Sequence, residues 1–202
     1  MHDLKLFGKR PKEKYHSYKG EVGKVAGNII QRNFKADRPL QKWTTDVTQF
    51  HFSWGKCYLS PILDMNTNEI ISYDLSMIPN LNQIKRMLNR AFKKFRNLQG
   101  LIMHSDQGWQ YQHEFYRSEL KKHGIIQSMS RKGNCYDNSI METFFGRMKN
   151  EMYYGSEKEY TSFKVFAKAV KEYIHYFNKE RIQKKTKWMP PEIYRETSTN
   201  AI

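Results

Sequence analysis

Apolar and polar positions change period several times along the chain, and each change marks an element. From Lys42 the stretches KWTTDVTQFHF, KCYLSPILDM and EIISYDLS are rich in Thr, Val, Ile, Tyr and Phe and are separated by SWG and NTN. Three strands joined as a meander are predicted. PNLNQIKRMLNRAFKKFRNL shifts to helical spacing, with Leu81, Ile84, Leu88, Ala91, Phe92 and Phe95 on one side. Lys85, Arg86, Arg90, Lys93, Lys94 and Arg96 fill the rest of its surface without an acid among them, which predicts an amphipathic helix with a cationic outer side. GLIMHSD reads as a short buried strand, EFYRSELKKHG as a helix closed by Gly124, and IIQSMS as a fifth strand. Two longer helices follow. SIMETFFGRMKNEMYYG has an apolar stripe of Ile140, Phe144, Phe145, Met148 and Met152, and SFKVFAKAVKEYIHYFNKE one of Phe163, Phe166, Val170, Ile174 and Phe177. The tail RIQKKTKWMPPEIYRE, interrupted by Pro190 and Pro191, is predicted to dock as an irregular segment. This element order implies an α/β core whose sheet mixes antiparallel and parallel pairs.

A chain of 202 residues fits one core with terminal extensions, and 39% hydrophobic residues supply enough apolar material to exclude a disordered chain. The boundaries fall as a basic arm or linker over 1–38, a core over 39–180 and a basic tail over 181–202. The formal charge of +15 costs self-repulsion unless a polyanion offsets it, so nucleic acid is the leading partner. The cationic helix fits either a merely solvated face or contact with a nucleic-acid backbone. Cys57 and Cys135 lack CxxC spacing, so neither a zinc site nor a disulfide framework is indicated, and free thiols in a reducing compartment are expected. No stretch reads as a secretory leader or a membrane span, which points to a cytoplasmic location with no membrane partner.

Three carboxylates stand out by position. Asp46 is expected in the middle of the first strand, where a charge is costly to bury unless paired or bound to a cation. Asp106 lies just past the fourth strand, at the end of such sheets that opens onto a ligand crevice. Glu142 stands in the first turn of a helix. If the fourth strand runs parallel to the first, Asp46 and Asp106 become neighbours, and the helix carrying Glu142 can cover them. Three carboxylates without a Cys or His cluster are hard oxygen ligands, suited to Mg²⁺ or Mn²⁺, and two such ions could clamp an in-line phosphoryl transfer. Each acid also has a structural reading: Asp46 pairing with a core cation, Asp106 closing an Asx turn, and Glu142 completing an S-x-x-E capping box with Ser139. His104 and Gln107 flank Asp106 and face either substrate or the packing of the strand.

WTTDVTQF, YLSPILDMNTNEIISYDLS, HSDQGWQY, SMSRKGNCYDNSIMETFFGRMKNE and NKERIQKKTKWMPPEIYR, in this order, resemble the integrase-like transposases of the insertion sequence 3 family, second reading frame product. The likeness runs from about residue 20 to the C-terminus, and 35 residues lie between Asp106 and Glu142, the separation for which this acidic triad class is named. The resemblance implies a ribonuclease H-like, retroviral-integrase-type fold with a five-stranded mixed sheet. It also implies a DDE site of Asp46, Asp106 and Glu142 that binds magnesium, with manganese as substitute and two ions expected. The implied activity is metal-dependent 3′-end cleavage of DNA followed by strand transfer, that is, transposition. Helical spacing sets Glu142, Gly146 and Lys149 on one side, so Gly146 offers either clearance for DNA or close helix packing, and Lys149 can meet a phosphate. Arg131, Lys132 and Arg147 join Gly146 and Lys149 as expected DNA contacts, and Asp137 is expected to orient its loop. The family pattern begins upstream of KEKYHSYKG with a helix-turn-helix region, of which residues 1–38 would be a remnant. A first-frame helix-turn-helix protein or fusion is therefore an expected partner, beside DNA and further copies of the chain on it. Thr186 stands where the family tends to have an apolar residue, which predicts weaker docking of the tail. A stand-alone nuclease and a catalytically idle DNA-binding remnant are the rival readings.

Overall fold

The computed structural model describes residues 23–199. Most of the expected basic arm, residues 1–22, lies outside the described residues, as do residues 200–202.

The sheet is organised by β3 (Gly55–Asp64), whose one edge pairs antiparallel with β4 (Ile70–Ser76). Its other edge pairs with β2 (Thr48–Phe52) over the first half and with β1 (Lys42–Thr45) over the second. β1 also runs parallel to β5 (Ile102–Ser105), and β5 parallel to β6 (Ile126–Met129). The sheet is mixed, as its element order predicts, and β1 and β2 share one of its five positions. The pattern predicts an unbroken strand there, with Asp46 in its middle; instead the strand breaks at Asp46 and Val47. The register on both sides of the gap sets Pro61 opposite Asp46. Proline has no N–H to donate to the ladder, and its carbonyl accepts the Thr45 hydroxyl at 2.8 Å.

Alternation along the strands divides the core into two layers. Trp43, Ile62, Ile71 and Met103 pack on α1 (Leu81–Lys94) and α3 (Glu114–Lys122), the latter preceded by a short α2 (Trp109–Gln112) that the pattern does not announce. Phe50, Leu59 and Leu63 pack against α4 (Ser139–Met152) and α5 (Phe163–Lys179). The N-cap of α4, Asn138, makes no side-chain capping bond. Packing therefore fixes this helix: Phe144 and Met148 are fully buried, contributing about 1.5–3 kcal/mol each.

The cationic side of α1 does two things. Arg86 and Arg90 clamp Asp74 on β4 at 2.7 and 2.9 Å, and Lys94 reaches the buried Glu69 at 2.6 Å. This row neutralises acids at the sheet edge, whereas Lys93 and Arg96 make no ion pair among the described residues. The tail is more regular than its prolines suggest. A 3-10 turn at Lys184–Thr186 leads into α6 (Pro191–Thr199), with Pro191 at the first helical position, where its missing N–H costs nothing. Thr186 does not loosen this docking. It is fully buried, and its hydroxyl is satisfied within the turn by the carbonyls of Gln183 and Met189. Arg195 of α6 meets Glu69 at 2.6 Å.

Candidate active site

β1, β5 and β6 end together. The register aligns Thr45 with Ser105 and Ser105 with Met129, so Asp46 and Asp106, the next residues on neighbouring parallel strands, emerge side by side. Asp46 is part-exposed yet closely surrounded by protein. Its carboxyl is pushed well above the usual carboxylate range by burial first, then by the charge of Asp106, with a further push from Glu142. Asp106 is raised by burial, and Glu142, exposed in the first turn of α4, by partial desolvation.

Hydrogen bonds decide between the structural readings of these acids. Among the described residues Asp46 has no ion pair; Oδ1 accepts the Val47 N–H at 2.7 Å and Oδ2 accepts the Asn138 amide at 2.8 Å. Asp106 does close an Asx turn, its Oδ1 accepting the Gly108 N–H at 2.9 Å, but Oδ2 has no hydrogen-bond partner among the described residues. The capping box is not made. Glu142 has no hydrogen bond among the described residues, and the Ser139 carbonyl is taken by Thr143. The three acids thus make no ion pair among the described residues, although Asp46 lies within electrostatic reach of Lys149. Among the described residues no group of three or more His, Cys, Asp and Glu stands close enough together to hold a metal ion, the three acids included. What they offer is an open set of hard carboxylate oxygens with spare lone pairs, a donor chemistry that fits Mg²⁺ or Mn²⁺ and not zinc.

The loop before α4 is anchored from below by a row of buried polar side chains in register on three strands: Thr44, His104 and Ser128. His104 Nε2 donates to the Asp137 carbonyl at 2.9 Å and Nδ1 accepts from Ser128 Oγ at 2.9 Å, so both ring nitrogens are committed to structure. Burial lowers its pKa and keeps it neutral. Gln107 is likewise occupied, donating to the Ser130 carbonyl at 3.0 Å. Above this row, the Asp137 carboxylate accepts from Arg131 Nε and backbone N–H, Arg32 Nε and Asn28 Nδ2, all at 2.9–3.0 Å. The Arg131 bonds, with those from Arg32, hold its carboxyl far below the ordinary range. Residues 28–32 are thereby tied to the site loop.

The expected DNA contacts divide by what they already touch. Arg131 is engaged on Asp137, while Lys132 is exposed and makes no ion pair among the described residues. Lys149 is half-buried, its ammonium 5.2 Å from the Phe50 ring centre; burial lowers its pKa and the charge of Asp46 opposes that shift. Arg147 lines a cleft of about 200 Å³ with Ser139, Thr143, Phe177 and Lys185. Gly146 is exposed, and a Cβ there would meet nothing within 4 Å, so close helix packing is not its role. Asn138 was not among the expected site residues. Its only sequence signal is its position four residues before Glu142, one helical turn away.

Two family models named Integrase core domain match residues 36–135 and 142–198. A transposase-like protein of Haemophilus influenzae is 52% identical over 200 residues, which is 99% of this chain and 91% of the relative. The chain belongs to the integrase-core transposases of insertion sequences. The first matched segment holds Asp46 and Asp106 and the second begins at Glu142. A transposase for insertion sequence element IS150 of Escherichia coli is 50% identical over 183 residues, and there the chain spans only 64% of the relative. Among solved structures, the magnesium complex of the HTLV-2 integrase catalytic core matches with TM-score 0.63 and 14% identity, covering 79% of this chain and 99% of that one. The fold is thus the retroviral-integrase type of ribonuclease H-like fold. No described helix is long and apolar enough to cross a membrane.

Proposed function

We propose that this chain is the catalytic core of an insertion-sequence transposase, cutting DNA at the element's ends and joining the liberated 3′ ends to new phosphodiesters. The reading is carried by one observation: Asp46 and Asp106 leave adjacent parallel strands at the same level, half-buried and without an ion pair among the described residues, with Glu142 on α4 close enough for its charge to act on Asp46. Divalent cations held by these three residues, two in the fullest case, would supply charge neutralisation and activation of the attacking hydroxyl. The chain itself does the positioning. Val47 and Asn138 fix the rotamer of Asp46, Gly108 fixes that of Asp106, and the Asp137 cluster sets the start of α4. In the first step water attacks the phosphorus and the bond to the 3′ oxygen breaks, leaving a 3′ hydroxyl. In the second, that hydroxyl attacks another phosphodiester and displaces its 3′ oxygen. One P–O bond forms for each broken, so no ATP is required.

Gly146 leaves space for a DNA backbone beside Glu142, and Lys132, Arg147 and Lys149 are cations along that approach. DNA, further copies of the chain and a first-frame helix-turn-helix partner complete the assembly we propose, in the bacterial cytoplasm. A strand-transfer assay with precleaved element ends tests the reading. Asp46→Asn, Asp106→Asn and Glu142→Gln should each abolish magnesium-dependent joining while leaving DNA binding intact. Hydrolysis without joining would identify a nuclease instead, and joining by the triple variant would refute the site.

A further inference from the structure

The turn at 183–189 is built in a way that packing does not explain. Lys187 and Trp188 are consecutive left-handed residues, at φ 53° and 63°, a conformation that favours glycine and disfavours a bulky side chain. The turn is nonetheless held firmly. Trp188 N–H donates to the Gln183 carbonyl at 2.9 Å, Gln183 and Met189 form an antiparallel bridge, and Asn68 donates to Gln183 Oε1 at 2.9 Å. This frame presents the Trp188 indole to solvent, 65% exposed, on the same turn as the exposed Lys184 and Lys187, which make no ion pair among the described residues. Strain that the surroundings enforce on an exposed aromatic points to a contact made with something else. Lys185 of the same turn lines a cleft with Arg147, Ser139 and Thr143 of α4, which sets the turn beside the helix that carries Glu142.

We infer that the 183–189 turn is a DNA contact remote from the carboxylates, in which Trp188 stacks on a base and Lys184 and Lys187 meet backbone phosphates. The identity of the polyanion rests on the transposase reading; the surface itself does not. A base offers a π-face to any exposed indole, and flanking cations follow the phosphates. A second copy of the chain fits less well, because it would bring the same lysines and the same +15 charge against themselves.

The test is metal-free binding of labelled 20-mer DNA, single-stranded and duplex, to the full chain by fluorescence anisotropy over a salt series. Trp188→Ala should weaken binding about tenfold, and Trp188→Phe by less than about threefold. Trp188→Gly, which relieves the left-handed strain, should lose affinity as Trp188→Ala does while its Tm holds or rises. Lys184→Gln with Lys187→Gln should make the log–log salt dependence shallower by roughly 1 to 2. Unchanged affinity in both Trp188→Ala and Trp188→Gly overturns the inference, as does a switch from oligomer to monomer in Trp188→Ala at unchanged DNA affinity. Because no cleavage is read, binding through Trp188 by a chain that never joins ends would sink the catalytic reading alone. Normal joining by a Trp188→Ala chain with unchanged affinity would sink only this contact.

Discussion

Replacing Asn138 by alanine separates positioning from folding. Asn138 occupies the N-cap of α4, where an Asn to Ala change ordinarily costs about 1 kcal/mol through a lost helix N–H bond. Here that bond is absent, because the side chain points the other way and donates to Asp46 Oδ2 at 2.8 Å. Its other contact, from the Thr44 hydroxyl at 3.5 Å, is at the limit of a hydrogen bond. The helix therefore loses little, and the loss falls on the orientation of Asp46. A hydrogen bond to a charged group contributes about 1.5–3 kcal/mol, which at 1.36 kcal/mol per decade is about a 10- to 150-fold fall in kcat/KM for strand transfer. Tm should change by no more than about 3 °C, since about 1 kcal/mol moves a chain of this size by about 2–4 °C. The assay is magnesium-dependent joining of a precleaved end, with DNA affinity measured in parallel and expected to stay within about twofold. Joining within threefold of the parent, or a loss of activity fully accounted for by unfolding at the assay temperature, would refute the positioning role.

Three further outcomes follow from the same geometry. Gly146→Ala should stabilise α4 by about 0.5–1 kcal/mol, since an exposed interior glycine gains helix propensity and its Cβ meets nothing; strand transfer should fall if DNA approaches there, and a rise in both Tm and activity would remove Gly146 from the interface. Asp46, Asp106 and Glu142 all have raised folded-state pKa values, so the stability they contribute is fully present below their unfolded values near 4 and is lost as pH rises through the folded ones. Thermal melts of the metal-free chain should show Asp106→Asn more stable than the parent at pH 8, with the difference shrinking toward pH 4; a less stable variant at pH 8 would contradict the unpaired-charge reading. Glu69→Gln removes the buried partner of Lys94 and Arg195 and should cost about 2–4 kcal/mol, discounted for the partial exposure of Lys94, with α6 the first element to lose hydrogen-exchange protection. A Tm within about 2 °C of the parent would show that the tail is held by apolar contacts instead.

Periodicity, turn chemistry and charge in the chain itself determined the strands, the long helices, the mixed sheet and the choice of Asp46, Asp106 and Glu142 as the acids worth following. These are local properties: a side-chain period of two or 3.6 and a proline or glycine act within a few residues. The quoted stretches added the family, and with it a reason to prefer a shared role for the three acids over three separate structural ones. Other features were decided only when distant segments met. The break at Asp46 depends on Pro61 lying opposite it across a ladder, and the uncapped start of α4 goes with an Asn138 side chain turned toward Asp46. Arg131 is taken by Asp137 together with Arg32, which lies 105 residues away from that acid in the chain. His104 is spent on the Asp137 carbonyl, and the strained exposure of Trp188 needs the Asn68 turn to hold its frame. A polar group bonds whichever partner the fold brings within about 3 Å, and pattern along the chain carries no record of that distance.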